Sequence, residues 1–589
     1  MSIPNTAFRF SPPAARASVL FLVTAVAVSF PDSIREEVEK ARSVVSLQTN
    51  RQWQSITLPA LRDGTAEVSL ANLNPDANVW FILFIKTAGM KAPLSFHLEN
   101  PQPDKQSVRL DADFRQGLVL AESGDVLRCR LWDFPGGEGA LKNASGLPAP
   151  FAALCEERLY LRNPVKGHKT TKEWATDFLR AYVPGGEKIT SVVKETLYRD
   201  AYYATSEPVK LERKLNEKPR MPGAPRPALI KTEHGDKLLP VPGMGIEARQ
   251  QEKSGFRPGA WYPVKSVPGA FISVIQPRLA SDEMLEGRPN KLKPLDNLEA
   301  SSLCYLAAFD LSEFNFSFCM GTEHPGVGWS ERIQPAVKTA GTAGPDGFGS
   351  LVPLVVNGII PPYEKDRIIA AFTGGFKRYH GAFRRGDLAW VNRGSHYGFL
   401  EKGVVLSSLN PGLATFCIRQ GGRIAMKTWT ARDAETLNQV LHARQNGFPL
   451  IEPASSGGPP VTGEMVGSPY LGNWSGSQEG RFRTVRAGIA LQEAGGHRFL
   501  LYGYFSSATP SSMARVFHAY GCSYAMQTDI NALEHTYLAF YGRENGRLTV
   551  QHLDRGMAVL DKTDKSGNVA PRFLGYADNR DFFYIIRKE

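Results

Sequence analysis

No stretch of eighteen consecutive apolar residues occurs in the 589-residue chain, which excludes a protein that crosses a bilayer repeatedly on helices and leaves no stable membrane span to expect. Blocks of five or six like charges are also missing. The 69 Lys and Arg against 58 Asp and Glu leave a net charge of +11 spread along the sequence, so no nucleic-acid partner is expected, while anionic substrates or envelope polymers remain open. Cysteine is scarce, at six, with no C-x-x-C and no zinc-type spacing. H-E-x-x-H, a P-loop and a G-x-G-x-x-G after a strand are absent too, so neither a metal nor a cofactor is expected. Gly472-Asn473-Trp474-Ser475-Gly476 carries its serine fourth and is not a nucleophile elbow. What is present is ordinary globular composition, 42% hydrophobic and 22% charged, with 55 Gly and 41 Pro favouring a turn-rich, β-rich chain over a helical bundle.

Residues 1–18 carry Arg9 and Arg16 and no acid, and the apolar run Val19–Phe30 follows, with acidic residues starting at Asp32. A basic start, a short apolar core and small residues at Ala25 and Ala27 fit a signal peptide over 1–30, and hence an exported protein, periplasmic or secreted. The same Val-rich run also suits a buried first strand. Six cysteines (Cys129, Cys155, Cys304, Cys319, Cys417, Cys522) permit disulfides in an exported chain, with Cys304 and Cys319 closest in sequence. They equally suit six small core side chains.

The expected architecture is α+β. Between residues 45 and 162, short apolar runs alternate with turns: Ser55–Leu58, Ala66–Leu70, Val79–Ile85, Leu94–Leu98, Ser107–Leu110, Gly117–Ala121 and Val126–Trp132. Strands at that spacing read as a β-sandwich-like domain over 45–205. Helical segments follow over 170–204, with Thr171 as a cap. From Glu207 to Pro242 seven prolines occur among many charges, which predicts an extended Pro-rich linker over 206–254. The remainder, 255–589, reads as a mixed α/β domain and holds eight of the eleven histidines beyond residue 320. Within it, Arg486–Leu491 and Phe499–Phe505 form a hairpin around Glu493–His497. Thr509 is an N-cap with Pro510 behind it, Met513, Val516, Phe517 and Tyr520 share one helical face, and Gly521 suits a left-handed C-cap. Ser523–Ile530 then returns as a strand, which puts Asp529 near its carboxyl end, where open α/β sheets place ligands.

Three clusters could carry chemistry. Gly374-Gly375 follows the apolar strand Ile368–Thr373 and precedes Lys377, Arg378 and His380, an arrangement that suits a phosphate or polar sugar but also a bulge with solvated basic residues. Arg481, Arg483 and Arg486 open the hairpin strand, either as phosphate forks or as a basic sheet edge. Asp529, Asn531, Glu534 and His535 gather carboxylates, an amide and an imidazole within seven residues, a set able to supply acid, base and an orienting group, or simply a polar turn.

In order, these segments resemble the phosphodiester glycosidase family. Its pattern of a strand ending A-x-N-G-G-[FY] is met by Ala371-Phe372-Thr373-Gly374-Gly375-Phe376, with Thr373 for the asparagine. A later R-T-x-x-G is similar to Arg483-Thr484-Val485-Arg486-Ala487-Gly488, one residue longer, and the closing N-L-D-G-G-G-S is similar to Met526–Ala532, where Ile530-Asn531-Ala532 replaces the glycines. The resemblance covers roughly 255–560. It implies a hydrolase cleaving a glycosidic bond to phosphate in a sugar phosphodiester or envelope glycopolymer, with a carbohydrate or sugar-phosphate partner. Under that reading Asp529, Arg483 and His535 are catalytic, and Gly374, Gly375, Lys377, His380, Arg486, Asn531 and Glu534 bind substrate. The lost glycines keep an alternative in view: a non-catalytic carbohydrate-binding or exopolysaccharide-assembly protein on the same fold.

Overall fold

A computed structural model describes residues 33–60, 64–132, 139–184, 186, 189, 200–210, 222–251, 254–286, 292–330, 333–378, 397–468, 483–563 and 565–588. The architecture is mixed α+β, with several antiparallel sheets and short helices. All seven strands expected between 45 and 162 are present, and two more, Phe151–Leu154 and Leu159–Arg162, complete a six-stranded sheet beside a three-stranded one. Alternation along Trp80–Thr87 explains how these sheets relate to the rest. Phe81, Leu83 and Ile85 enter a core shared with Val108, Leu118 and Leu120 of the smaller sheet, while Trp80, Ile82 and Phe84 point the other way into the main core. The large sheet is thus covered on both faces.

With that double coverage, the expected division into sandwich, linker and second domain is not displayed as separate bodies. The described part of the Pro-rich segment is no free spacer. Leu239, Val241, Met244, Ile246 and Phe256 are buried in the main core, and Leu239 exchanges backbone hydrogen bonds with Phe256 at 2.8 and 2.9 Å. Proline density signalled irregular backbone correctly; the sparse apolar residues between the prolines were enough to pin it down.

The main core lies between an eight-stranded sheet and a five-stranded one. The first contains Ala270–Ile275, Cys304–Asp310, His497–Ala508, Thr484–Ala494 and Tyr524–Ile530 as successive neighbours, and the second is ordered Phe314–Cys319, Phe582–Arg587, Ile368–Thr373, Leu538–Glu544, Arg547–His552. The hairpin Thr484–Ala494/His497–Ala508 turns on Gly495 and Gly496, both at positive φ (58° and 82°), as a two-residue turn of this hand requires. Thr509 caps helix Pro510–Ala519 by accepting from Ser512 N at 3.4 Å. Because Tyr524–Ile530 and His497–Ala508 each pair antiparallel with Thr484–Ala494, they run parallel to one another. The expected crossover is therefore present, with one strand between its two arms.

Cys129 and Cys155 form a disulfide, whereas Cys304 and Cys319, the pair closest in sequence, are buried free thiols, as are Cys417 and Cys522. The 1–30 segment lies outside the described residues. Among those described, no helix is long and apolar enough to cross a membrane.

Candidate active site

Asp529 is the penultimate residue of the fully buried strand Tyr524–Ile530 and is 4% exposed. Its Oδ1 accepts from Ile530 N at 2.8 Å and its Oδ2 from Arg580 Nη1 at 2.8 Å. Arg580 belongs to the run Asp578-Asn579-Arg580-Asp581 that leads into strand Phe582–Arg587. The same guanidinium donates through Nε to Glu173 Oε1 at 2.6 Å. Glu173 comes from helix Thr171–Tyr182, where it also closes a capping box with Thr170. One buried arginine therefore holds two carboxylates that lie more than three hundred residues apart in the chain.

The electrostatics follow from that pairing. Burial works against ionisation of Glu173, but Arg580, followed by His535 and Lys377, overcomes it and holds the carboxyl well below its usual range. Burial likewise opposes the charge on Arg580, yet Glu173 and Asp529 push its pKa above the ordinary arginine value. His535 Nδ1 lies 2.6 Å from Ile530 O and donates to it, which leaves Nε2 3.7 Å from Glu173 Oε1. Thr373 ties the end of its strand to the same loop by donating to His535 O at 2.6 Å.

The diglycine turn is built on the neighbouring aspartate. Gly374 N donates to Asp581 O at 2.9 Å, and a Cβ on Gly374 would stand 2.4 Å from Asp581 Oδ2. Gly375 has φ +146°, and its Cβ would meet Arg444 Nη1 at 2.8 Å. Both positions need glycine for close approach. Arg444 Nε donates to Asp581 Oδ2 at 2.7 Å, and His324 Nδ1 contacts Asp581 Oδ1. Against the cost of burial, these two partners hold Asp581 in its ionised form. Asn446 joins the turn to the Asp529 strand: its Oδ1 accepts from Phe376 N at 3.1 Å, and its Nδ2 donates to Gln527 O and Thr528 O at 2.7 and 2.6 Å. Beyond the turn, Lys377 Nζ lies 3.2 Å from Glu323 Oε2, and Lys169 lies 2.6 Å from Glu323 Oε1.

Asp529, His535, Asn531, Gly374, Gly375 and Lys377 thus border one region. Asn531 has φ +82°, a conformation that asparagine tolerates better than most residues, so it fills a left-handed position without glycine. Glu534 sits at the foot of the Thr171–Tyr182 helix, its Oε1 3.5 Å from Thr170 Oγ1 and its carbonyl accepting from Arg572 Nη1 at 2.7 Å. The two arginines expected here do not join. Arg483 is spent on Asp200, at 3.1 Å, and on Asp296. Arg486, 0% exposed, donates to Ala508 O and Gln527 Oε1, each at 2.7 Å, inside the sheet; burial lowers its pKa to about 9. The strand register shifts between Thr484 and Arg486, so simple alternation does not carry through this part of the strand. His380 and Arg481 lie outside the described residues.

Sequence reasoning missed Arg580, Glu173, Asp581, Arg444 and Asn446. Only Glu173 had a local signal, the spacing Thr170-x-x-Glu173. Around these residues several buried polar atoms have no hydrogen-bond partner: Asn531 Oδ1, His535 Nε2 and both amide atoms of Asn579. Such atoms are uncommon in a protein interior and mark places where a ligand or water completes the network. Among the described residues, no group of three or more His, Cys, Asp or Glu is arranged to hold a metal ion.

No protein-family model matches the chain, and no curated protein does. Among solved structures, the catalytic domain of zebrafish N-acetylglucosamine-1-phosphodiester alpha-N-acetylglucosaminidase, auto-inhibited by its pro-peptide, gives a weak, partial likeness. Identity is 10%, coverage 62% of this chain and 96% of that one, and the TM-score 0.30. A Burkholderia pseudomallei protein described as "Putative exported protein" matches over 91% of this chain and 97% of its own at 11% identity and a TM-score of 0.16. Likenesses this weak carry no argument about the reaction.

Proposed function

We propose that the chain is a hydrolase that cleaves a glycosidic bond to phosphate. The observation that carries this reading is the bridge Asp529–Arg580–Glu173, two carboxylates oriented by one buried guanidinium, Asp529 near the carboxyl end of its strand and Glu173 in the first turn of its helix, with partnerless polar atoms beside it. Phosphate is a good leaving group, so the reaction asks less for a strong acid than for a carboxylate at the anomeric carbon and cations for the phosphate. Asp529, held by its two donors, orients the attacking water or steadies positive charge on the sugar. Lys377, at the far side of the diglycine turn, exchanges Glu323 for a phosphate oxygen. Arg580 and Glu173 act as positioning residues. Water adds to the anomeric carbon, the bond from that carbon to the phosphate oxygen breaks, and a free sugar and a phosphate monoester leave. Export of the chain is part of the proposal, with the Cys129–Cys155 disulfide in its favour.

One observation favours the binding-protein alternative: both Asp529 oxygens are already engaged and the residue is 4% exposed. Hydrolysis of the p-nitrophenyl diester of N-acetylglucosamine 1-phosphate in ¹⁸O-water separates the possibilities. The glycosidase reading requires label on the sugar. Label on phosphate would make the protein a phosphodiesterase, and binding of the diester without turnover would make it a carbohydrate-binding protein.

A further inference from the structure

Helix Thr171–Tyr182 carries Glu173 to Arg580 on one face and an aromatic row on another. Trp174, Phe178 and Tyr182 recur every four residues, so they are neighbours along the helix surface. They are 61%, 45% and 75% exposed, and no other Trp, Phe or Tyr among the described residues is an exposed side chain. Single exposed apolar residues are ordinary; three in one row mark an interaction site. The rings brace one another. The Trp174 and Phe178 centroids are 5.5 Å apart with planes 17° from parallel, and those of Phe178 and Tyr182 are 5.3 Å apart at 38°. Each ring restricts the rotamers of the next, so a ligand has little left to order. The row extends about 12 Å along the helix axis, eight residues at the helical rise.

The surroundings of the row decide what it can hold. Thr171 and Ala175 share its face, are exposed, and are too small to overhang the rings. No Leu, Ile, Val or Met stands between the aromatics, whereas a bilayer or a protein partner is met by a broader apolar patch. The charges alongside are answered within the chain: Asp177 pairs with Lys169 at 2.8 Å, and Lys172 Nζ lies 3.5 Å from the Tyr202 hydroxyl and over its ring. A charged ligand gains nothing from them. At its inner end the row is continuous with the candidate site, because Thr170, Thr171 and Glu173, in the turn that leads to Trp174, line a polar pocket of about 210 Å³ with His168, Arg572 and Tyr576. An uncharged chain with flat apolar faces and a fringe of hydroxyls matches these features. In a β-linked pyranose chain, axial C–H bonds meet the negative π faces while equatorial hydroxyls stay in water or reach the polar groups alongside.

We infer that the Trp174–Phe178–Tyr182 row is a binding site for a neutral, β-linked polysaccharide, which holds the protein on an extended glycan independently of cleavage at Asp529. The helix lies outside residues 255–560, over which the resemblance to phosphodiester glycosidases extends, so the site belongs to the N-terminal part of this chain. It goes beyond the proposed hydrolase reading and does not depend on it: the row is on the surface, and its rings touch neither Asp529 nor Arg580.

The test uses the full chain with Trp174→Ala, Tyr182→Ala and Trp174→Phe, and the β-1,4-linked hexasaccharides of glucose, mannose and N-acetylglucosamine as probes. Binding is read by calorimetry and by tryptophan fluorescence, and turnover of the p-nitrophenyl sugar phosphodiester is followed separately. At least one hexasaccharide should bind the parent and shift its emission to the blue. Each alanine variant should bind it about tenfold more weakly, the scale of one lost aromatic contact, while Trp174→Phe stays within about threefold of the parent but loses the Trp174 part of the emission shift. Melting temperatures should match the parent, as the side chains are exposed. Failure of all three hexasaccharides to bind the parent overturns the inference, and so does binding that survives both alanine substitutions. If the parent instead binds phosphatidylglycerol vesicles, or dimerises, through a surface that the alanines abolish, the row is a membrane or self-association surface and the glycan assignment falls. A loss of aryl-ester turnover in the alanine variants would make the row part of the Asp529 site and overturn its independence. A parent that binds the glycan through the row and cleaves no diester supports the inference and refutes the hydrolase.

Discussion

Two buried arginines join N-terminal elements to the rest of the molecule, Arg162 from the six-stranded sheet and Arg580 through Glu173 of the Thr171–Tyr182 helix, and they do so differently. Arg162 pairs with Glu99, whose Oε2 also accepts from Trp80 Nε1 at 3.0 Å and whose Oε1 accepts from Tyr363; Arg162 Nε donates to Val355 O at 3.0 Å. No side-chain nitrogen or oxygen of Glu99, Arg162 or Tyr363 is left unanswered. Arg580 pairs with two carboxylates, Glu173 and Asp529, and these three are equally satisfied; unpartnered buried atoms stand beside both arginines, His97 Nε2 beside Arg162 and a larger group on Asn531, His535 and Asn579 beside Arg580. A buried charge network that serves the fold closes on itself, because each unsatisfied group costs about 1–3 kcal/mol. A network that serves a ligand stays open at the ligand's place. On the proposed reading Arg580, beside the larger open cluster, positions the site, and Arg162 serves cohesion.

The sharpest way to break this contrast is to open the closed network. Glu99→Gln leaves Arg162 buried without its counter-ion and should lower stability by about 3–5 kcal/mol, read as a shift in denaturant midpoint, with turnover per folded molecule unchanged. A loss of turnover in folded Glu99→Gln would erase the distinction. Reducing the Cys129–Cys155 link, 26 residues apart in sequence, should cost roughly 3 kcal/mol by the loop-closure argument. It lies in the core between the two N-terminal sheets, so any turnover at the Asp529 site should be unchanged.

Acid titration sharpens the contrast further. Burial raises Glu401 to about 7, with Arg162 opposing. Its folded pKa exceeds its unfolded one, so the stability it contributes is complete below about pH 4.5 and disappears as pH rises through 7, by at most about 3 kcal/mol. Glu173 behaves oppositely: its folded pKa is depressed, so its contribution is present above the ordinary carboxyl range and disappears as pH falls below it. The parent's melting temperature should decline between pH 5 and 7.5, and melting curves of Glu401→Gln should lack that decline. The smallest effect expected is in Glu173→Gln. Arg580 keeps Asp529 but loses its second anchor, and turnover should fall about tenfold, ~1.4 kcal/mol, with KM little changed. An equal loss at every pH, together with recovery in Glu173→Asp, would identify positioning as the cause.

Much of this fold was legible along the chain. The seven N-terminal strands, the Gly495-Gly496 hairpin and the Thr509-capped helix rest on local signals: alternation, turn residues and a cap. The integration of the N-terminal sheets was not legible, because Phe81 and Ile82 look alike in sequence although they serve different cores. At the site, Asp529 and the diglycine turn stood out through position after a strand. Arg580 did not, since its meaning comes from Glu173, which is 407 residues away. Arg483 and Arg486 looked available because a bulge and carboxylates from distant segments are invisible to spacing.

The most direct measurement is the turnover of Asp529→Asn on the p-nitrophenyl sugar phosphodiester, taken with its melting temperature. The substitution keeps the side chain's shape and removes the charge that Arg580 answers. With the fold intact, turnover should drop about 10²-fold or more, the scale of one acid–base group. Turnover near that of the parent in a folded Asp529→Asn protein would contradict the assignment of the open network to catalysis.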